Sequence, residues 1–177
     1  RVNLNIFEKD YKHAHKLLVQ IITEEPNYHR AWLLKGMVEG KLGKNEAASK
    51  SYTNVIDNSE ALALTAYLHR SLLYVKQGEL EKAQKDIDKL EKTAPNHPKL
   101  LFTKGLMALK RKKFVDARAN FEGALKYLPN SLEIMLFLGG VYFELGNLEL
   151  AEKNLNTVVL KNPENTYARK ILAKVLV

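Results

Sequence analysis

Apolar residues recur along this chain at the spacing of helices rather than of strands. Within residues 98–131, the small and apolar positions of one predicted helix are Leu100, Leu101, Gly105, Met107 and Ala108. A second helix is predicted from positions at i, i+4, i+7 and i+8, which are Ala117, Phe121, Ala124 and Leu125. The pattern predicts a unit made of a helix, a tight turn and a second helix.

This unit repeats with a period of about 34 residues. Prolines lie at positions 95, 129 and 163, and two series of small residues keep the same spacing with one inserted residue near position 58. One series is Ala14, Ala48, Ala83, Ala117 and Ala151. The other is Gly36, Ser71, Gly105, Gly139 and Ala173. Because a single unit cannot bury its apolar face alone, we expect successive units to stack.

Small residues have two predicted roles inside each unit. Gly43, Gly78 and Gly146 lie between the two helices, where a helix end favours the left-handed conformation that glycine tolerates. A Gly or Ala on the first helix is expected to face an Ala on the second, so that the two helix axes approach closely. A bulky side chain at this contact would overpack it.

The repeated residues resemble the tetratricopeptide repeat. The fourth unit matches that pattern best, through Leu138, Gly139, Tyr142, Gly146, Ala151, Leu155 and Pro163. The resemblance implies an all-α fold, a right-handed superhelix (α-solenoid) of helix-turn-helix repeats. It divides one domain, 1–177, into a partial repeat, four full repeats and a terminal helix: 1–28, 29–63, 64–97, 98–131, 132–165 and 166–177.

A finer resemblance concerns segments 138–148 and 167–173. They are similar to the long tetratricopeptide lipoproteins that accompany bacterial exopolysaccharide synthesis and PEP-CTERM protein sorting. This resemblance implies a periplasmic or cell-envelope location and an internal fragment of a longer protein. A cytoplasmic scaffold is the alternative.

Composition argues against an enzyme. The chain has no Cys, which excludes disulfides, thiolate zinc sites and cysteine nucleophiles. It has no glycine-rich phosphate loop, no HExxH and no G-x-S-x-G motif. His13 and His15 are two positions apart on a helix and therefore face different directions. We expect no catalytic residues, no metal and no cofactor.

The resemblance implies that the first helix of each unit lines a concave face. The predicted partner-binding groove on that face consists of Leu33, Leu34, Met37, Lys41, Leu68, His69, Leu72, Lys76, Phe102, Leu106, Lys110, Phe137 and Gly140. Such a surface is suited to an amphipathic helix or an extended peptide, with acidic flanks meeting the lysines. In the alternative interpretation these side chains pack between adjacent repeats.

The net charge of +8 is concentrated in one segment. Residues 99–128 carry eight basic side chains against two acidic ones. Four of the basic ones form a patch at a turn: Lys110, Arg111, Lys112 and Lys113. The patch favours, as an alternative function, binding of a polyanion such as an acidic glycan or nucleic acid. A further alternative is self-assembly through exposed repeat ends.

Overall fold

A computed structural model describes residues 2–176, without the side chain of Leu4. Over this range the chain forms helices and no strand, which confirms the all-α prediction. The helices are α1 (Val2–Phe7), α2 (Tyr11–Glu24), α3 (His29–Lys41), α4 (Asn45–Asn58), α5 (Glu60–Gln77), α6 (Leu80–Thr93), α7 (Pro98–Lys110), α8 (Phe114–Tyr127), α9 (Leu132–Glu144), α10 (Leu148–Lys161) and α11 (Thr166–Val175).

The helices group into two compact units, unit 1 up to Lys92 and unit 2 from Thr93 onward. In unit 1, α3 and α4 form a hairpin, with α2 packed on one side and α5 on the other. In unit 2, the hairpins α7–α8 and α9–α10 pack together, and α11 packs on α9 and α10. Two pairs of first helices also touch directly, α3 with α5 in unit 1 and α9 with α11 in unit 2.

The predicted turn glycines adopt the left-handed conformation. Gly43, Gly78 and Gly146 have φ of 75°, 82° and 75°. Lys9 and Lys112 occupy the equivalent position in their own turns with φ of 60° and 56°, although neither is a glycine. A left-handed conformation is unfavourable for residues with a side chain.

The inserted residue lengthens one helix. α5 has 18 residues and begins at Glu60, four residues before the expected repeat boundary at position 64. Only Ser59 separates it from α4, whereas four residues separate α6 from α7 and α8 from α9. No proline lies at this connection, so nothing prevents the helix from starting earlier.

The nearest neighbours of three small residues on the first helices are large side chains of the second helices. A Cβ built on Gly36 would lie 2.6 Å from the ring of Tyr52, and one on Gly105 would lie 2.5 Å from the ring of Phe121. On Gly139 it would lie 2.7 Å from Leu155. The built Cβ of Gly139 also lies 3.5 Å from the backbone oxygen of Ala151, the alanine that the sequence predicts as its neighbour. Each large residue lies four positions after the alanine that recurs on the second helices. It packs against the glycine and fills the space between the two helices of its repeat.

Candidate functional site

An apolar side chain followed one turn later by a lysine recurs on the first helices of three full repeats. The pairs are Met37 and Lys41, Leu72 and Lys76, and Leu106 and Lys110. The apolar members are half-buried and the lysines are exposed. Since residues at i and i+4 share a helix face, each helix presents an apolar spot next to a cation. We call the two pairs of unit 1, Met37 with Lys41 and Leu72 with Lys76, the lysine stripe.

Three residues of the predicted groove lie in the core instead. Leu33, Leu68 and Phe102 are only 8%, 3% and 7% exposed. They have too little free surface to contribute much to a partner contact. Fewer residues of the predicted groove are therefore accessible to a partner than the pattern of apolar positions indicated, because these three side chains pack within their own unit.

Two further groove residues lie between repeats. His69 on α5 stacks on Tyr52 of α4, with ring centroids 5.7 Å apart. Phe137 on α9 stacks in the same way on Phe121 of α8, at 5.8 Å, and contacts Phe102 edge-on. Both side chains join one repeat to the preceding one, which is the packing role that the alternative interpretation gave them.

The remaining groove residues, Leu34 and Gly140, also have neighbours. Leu34 is half-buried against the core cluster that contains Leu18. A Cβ on Gly140 would lie 3.7 Å from Ile171 of α11, so the hollow expected beside Gly140 adjoins a side chain of the next helix. The groove residues that combine apolar surface with nearby charge are the lysine stripe in unit 1 and the pair Leu106 and Lys110 in unit 2.

A buried carboxylate fixes the helix that carries the first pair of the stripe. Glu39 on α3 is 2% exposed. Its Oε1 lies 2.7 Å from Nζ of Lys35 and 3.2 Å from Nε2 of His15, and its Oε2 accepts a 2.7 Å hydrogen bond from Ser51. Burial by itself raises the pKa of Glu39, but the hydrogen bonds from these three partners outweigh it and lower that pKa.

A second buried ion pair fixes the helix that carries Leu72 and Lys76. Arg70 on α5 donates to both carboxylate oxygens of Asp86 on α6, at 2.9 and 2.7 Å. It also donates to Thr53 on α4 at 2.6 Å. Such a two-pronged pair holds both side chains in one geometry. The sequence analysis did not identify either network. The one available signal was an acidic residue, Glu39, at a position where later repeats carry Tyr or Ala.

The basic patch is exposed at the turn between α7 and α8. Lys110 ends α7, and Arg111, Lys112 and Lys113 form the connection to α8. None of the four pairs with an acidic side chain among residues 2–176. Their charges therefore face solvent.

Over the described part of the chain, three or more His, Asp or Glu side chains do not come together in a way that could hold a metal ion. Over the same part, the helices are too short or too polar to cross a membrane.

Comparison with known proteins identifies the repeat. Tetratricopeptide repeat models match residues 33–98, 68–131 and 108–175. The chain belongs to the tetratricopeptide repeat family. Repeats of this family generally mediate protein–protein interactions and act as scaffolds rather than as enzymes.

Two relatives share this region. Protein O-mannosyl-transferase TMTC1 of Homo sapiens is 25% identical over 168 residues, which cover 93% of this chain and 19% of that protein. Signal recognition particle subunit SRP72 of Dictyostelium discoideum is 30% identical over 142 residues, which cover 75% of this chain and 21% of the relative. The chain thus spans about a fifth of the length of these relatives.

A solved structure shows the same fold. A chain of the APC/C hetero-tetramer Cut9–Hcn1 matches with a TM-score of 0.89 and 18% identity, over 97% of this chain and 34% of that one. The fold is that of a tetratricopeptide α-solenoid.

Proposed function

We propose that this chain is a non-enzymatic scaffold that binds a peptide or helix of a protein partner on its lysine stripe. The observation that carries the proposal is the recurrence of one half-buried apolar residue with an exposed lysine one turn later. In unit 1 this arrangement comprises Met37, Lys41, Leu72 and Lys76 on two first helices that touch each other.

The chemistry of the stripe defines the partner. Half-buried Met and Leu side chains supply apolar surface that a partner side chain can cover, at roughly 25 cal/mol per Å² removed from water. The exposed lysines favour carboxylates beside those apolar side chains and disfavour cationic segments. The expected ligand is a protein segment that mixes apolar and acidic residues.

The buried networks prepare the stripe for binding. Glu39 ties α3 to α2 and α4, and Arg70 ties α5 to α4 and α6. The two helices that carry the stripe are therefore held in place before a partner arrives. A surface held in its binding geometry loses less conformational freedom on association, which favours affinity.

Peptide selection tests this proposal. The intact chain would be used to select binders from a random peptide library, and affinities would be measured by fluorescence polarisation. We expect selected sequences rich in apolar and acidic residues. Lys76→Glu should weaken their binding at least about tenfold, because a charge-assisted contact becomes a repulsion. Leu72→Glu should do the same by adding charge to the apolar spot.

The matched control is Lys85→Glu, which reverses an exposed charge on α6 outside the stripe. Circular dichroism of each variant separates lost binding from lost structure. Equal peptide affinities for the Lys76→Glu and Lys85→Glu variants would contradict the proposal.

We further propose a bacterial cell-envelope setting, as part of a polysaccharide-export or surface-protein sorting system. Its support is the resemblance of segments 138–148 and 167–173 to tetratricopeptide lipoproteins of those systems. Cell fractionation with an antibody against this chain tests it. Recovery in the periplasmic or membrane fraction is expected, and recovery in the cytoplasm alone would contradict it.

A further inference from the structure

Unit 2 has a shallow surface pocket at the turn between α7 and α8, open to solvent on one side, which we call the cavity. Its volume is about 400 Å³, and its lining consists of Lys112, Lys113, Phe114, Val115, Asp116 and Leu145. The apolar part of the lining comes from the first turn of α8 and from Leu145, the residue that follows α9. Val115 is 59% exposed, so this apolar surface is open to a partner. None of these residues belongs to the lysine stripe.

Cations without partners border the cavity. Lys112 and Lys113 line it, and Lys110 and Arg111 precede them in the chain. None of the four is paired with a carboxylate among residues 2–176. Asp116 supplies the one negative charge of the lining. The local charge therefore favours an anionic ligand.

Lys112 holds a side chain at a left-handed turn position that glycine occupies in three other turns. Lys112 has φ 56°, at the position where Gly43, Gly78 and Gly146 lie. The turn itself is formed normally, because Lys112 N donates to Leu109 O and Lys113 N to Ala108 O, both at 2.9 Å. Glycine would allow the same turn without strain. The lysine thus adds charge beside the cavity at a cost in stability.

We propose that this cavity is a second docking site, which takes a peptide segment with one apolar side chain flanked by carboxylates. The apolar side chain occupies the cavity above Phe114, Val115 and Leu145. The flanking carboxylates contact the ammonium groups of Lys112 and Lys113. The site is separate from the lysine stripe, so it can engage a different segment of a partner.

The lining favours an acidic peptide over a nucleic acid. Nonspecific binding of single strands combines cationic grooves with exposed aromatic rings on which bases stack. Phe114 is half-buried, and the exposed apolar side chain here, Val115, has no ring. Asp116 would also repel a continuous phosphate backbone.

The test uses the intact chain and two labelled peptides, EELEE and its control EESEE. Polarisation measurements at low and high salt should show tighter binding of EELEE, because only its leucine fills the cavity. The double substitution Lys112→Glu, Lys113→Glu should weaken EELEE binding at least about tenfold. Asp116→Asn should tighten EELEE binding, because it removes the negative charge from the cavity lining. A peptide bound at a distant site would not respond to this substitution.

Two controls separate this site from the stripe and from general charge. Lys161→Glu, an exposed charge reversal on α10, should leave EELEE binding within about twofold. Because the stripe also favours apolar and acidic segments, the EELEE measurements are repeated in the Lys76→Glu background. There the peptide should still attach at Lys112 or Lys113 and should still lose affinity with the double substitution. If Lys76→Glu abolishes EELEE binding and the double variant does not, the cavity inference fails while the proposed function stands.

Cross-linking locates the peptide directly. Carbodiimide joins a bound carboxylate to a neighbouring lysine, so mass spectrometry should find EELEE attached at Lys112 or Lys113. Attachment spread over many lysines would overturn the inference. Equal binding of EELEE and EESEE would overturn it as well. If a single-stranded DNA oligomer binds at the same lysines and displaces EELEE, the ligand of this site is a nucleic acid, and the acidic-peptide inference is overturned.

Discussion

Phe137 on α9 lies nearly parallel to Phe121 on α8, with centroids 5.8 Å apart and an interplanar angle of 16°. His69 on α5 has the same relationship to Tyr52 on α4, at 5.7 Å and 22°. On its other side, Phe121 faces Gly105 of its own repeat. A ring on each of these second helices is therefore enclosed between its own first helix and the next repeat. This ring both closes the hairpin and joins consecutive repeats.

The enclosure of Phe121 predicts opposite effects for two glycine substitutions. Gly105→Ala would place a Cβ 2.5 Å from the ring, and a fully buried ring cannot move aside. We expect a loss of about 1–3 kcal/mol in unfolding free energy from overpacking. Gly123→Ala, on α8, would meet Leu101 at an ordinary 3.4 Å. It should gain about 0.5–1 kcal/mol, because alanine favours a helix over glycine.

Urea denaturation of both variants measures this difference. The Gly123→Ala variant serves as the control for introducing a methyl group into a helix of unit 2. A Gly105→Ala variant as stable as the unsubstituted chain, or more stable, would show that the contact between Gly105 and Phe121 is not tight.

Truncating the buried ring of Phe121 should lower the free energy of unfolding more than truncating an exposed ring. Phe121 is 0% exposed, and its truncation to alanine is expected to cost about 3–5 kcal/mol because it leaves a cavity between three helices. Tyr127 on the same helix is 54% exposed, so Tyr127→Ala should change stability by less than about 0.5 kcal/mol. Thermal or urea unfolding followed by circular dichroism measures both. Comparable losses would mean that the inter-repeat stack contributes little.

The repeat register could be predicted from the sequence, whereas the exposed surface of the groove could not. The register depends on backbone constraints, and Gly43 and Gly146 show them directly with φ of 75°. Burial depends on neighbouring helices instead. Leu68 is buried and Leu72 is half-buried, although both are leucines one turn apart on the same helix.

The buried polar networks also escaped the sequence analysis for a physical reason. The partners of Glu39 on other helices lie 12 and 24 residues away, and Asp86 lies 16 residues from Arg70. Helical periodicity relates residues three or four positions apart and carries no information on such pairs. The sequence could show an acidic residue at an unusual position but not the side chains that satisfy it.

The network around Glu39 predicts a pH-dependent contribution to stability. Its pKa is lowered from 4.5, so its stabilising effect is fully present above pH 4.5 and is lost as the pH falls through the lower folded-state pKa. Glu39→Gln keeps the shape but removes the charge, and should cost about 1.5–3 kcal/mol at pH 7. The difference from the unsubstituted chain should shrink in more acidic buffers.

Urea titrations at pH 7 and at successively lower pH measure that difference. Glu164→Gln, at an exposed position, is the control and should track the unsubstituted chain throughout. A Glu39→Gln penalty that stays constant below the folded-state pKa would show that the lost interaction is steric rather than ionic.

The strained turn at Lys112 predicts that stability and peptide binding change in opposite directions. Lys112→Gly relieves the left-handed conformation and should raise the unfolding free energy by about 1 kcal/mol. The same change removes a cation beside the cavity and should weaken EELEE binding. Gly146→Ala, in the equivalent turn of the next repeat, should instead lower stability by a similar amount. Urea denaturation and fluorescence polarisation on the same samples measure both quantities. A Lys112→Gly variant with unchanged stability would show that the turn carries no strain, and one with unchanged affinity would show that Lys112 does not contact the peptide.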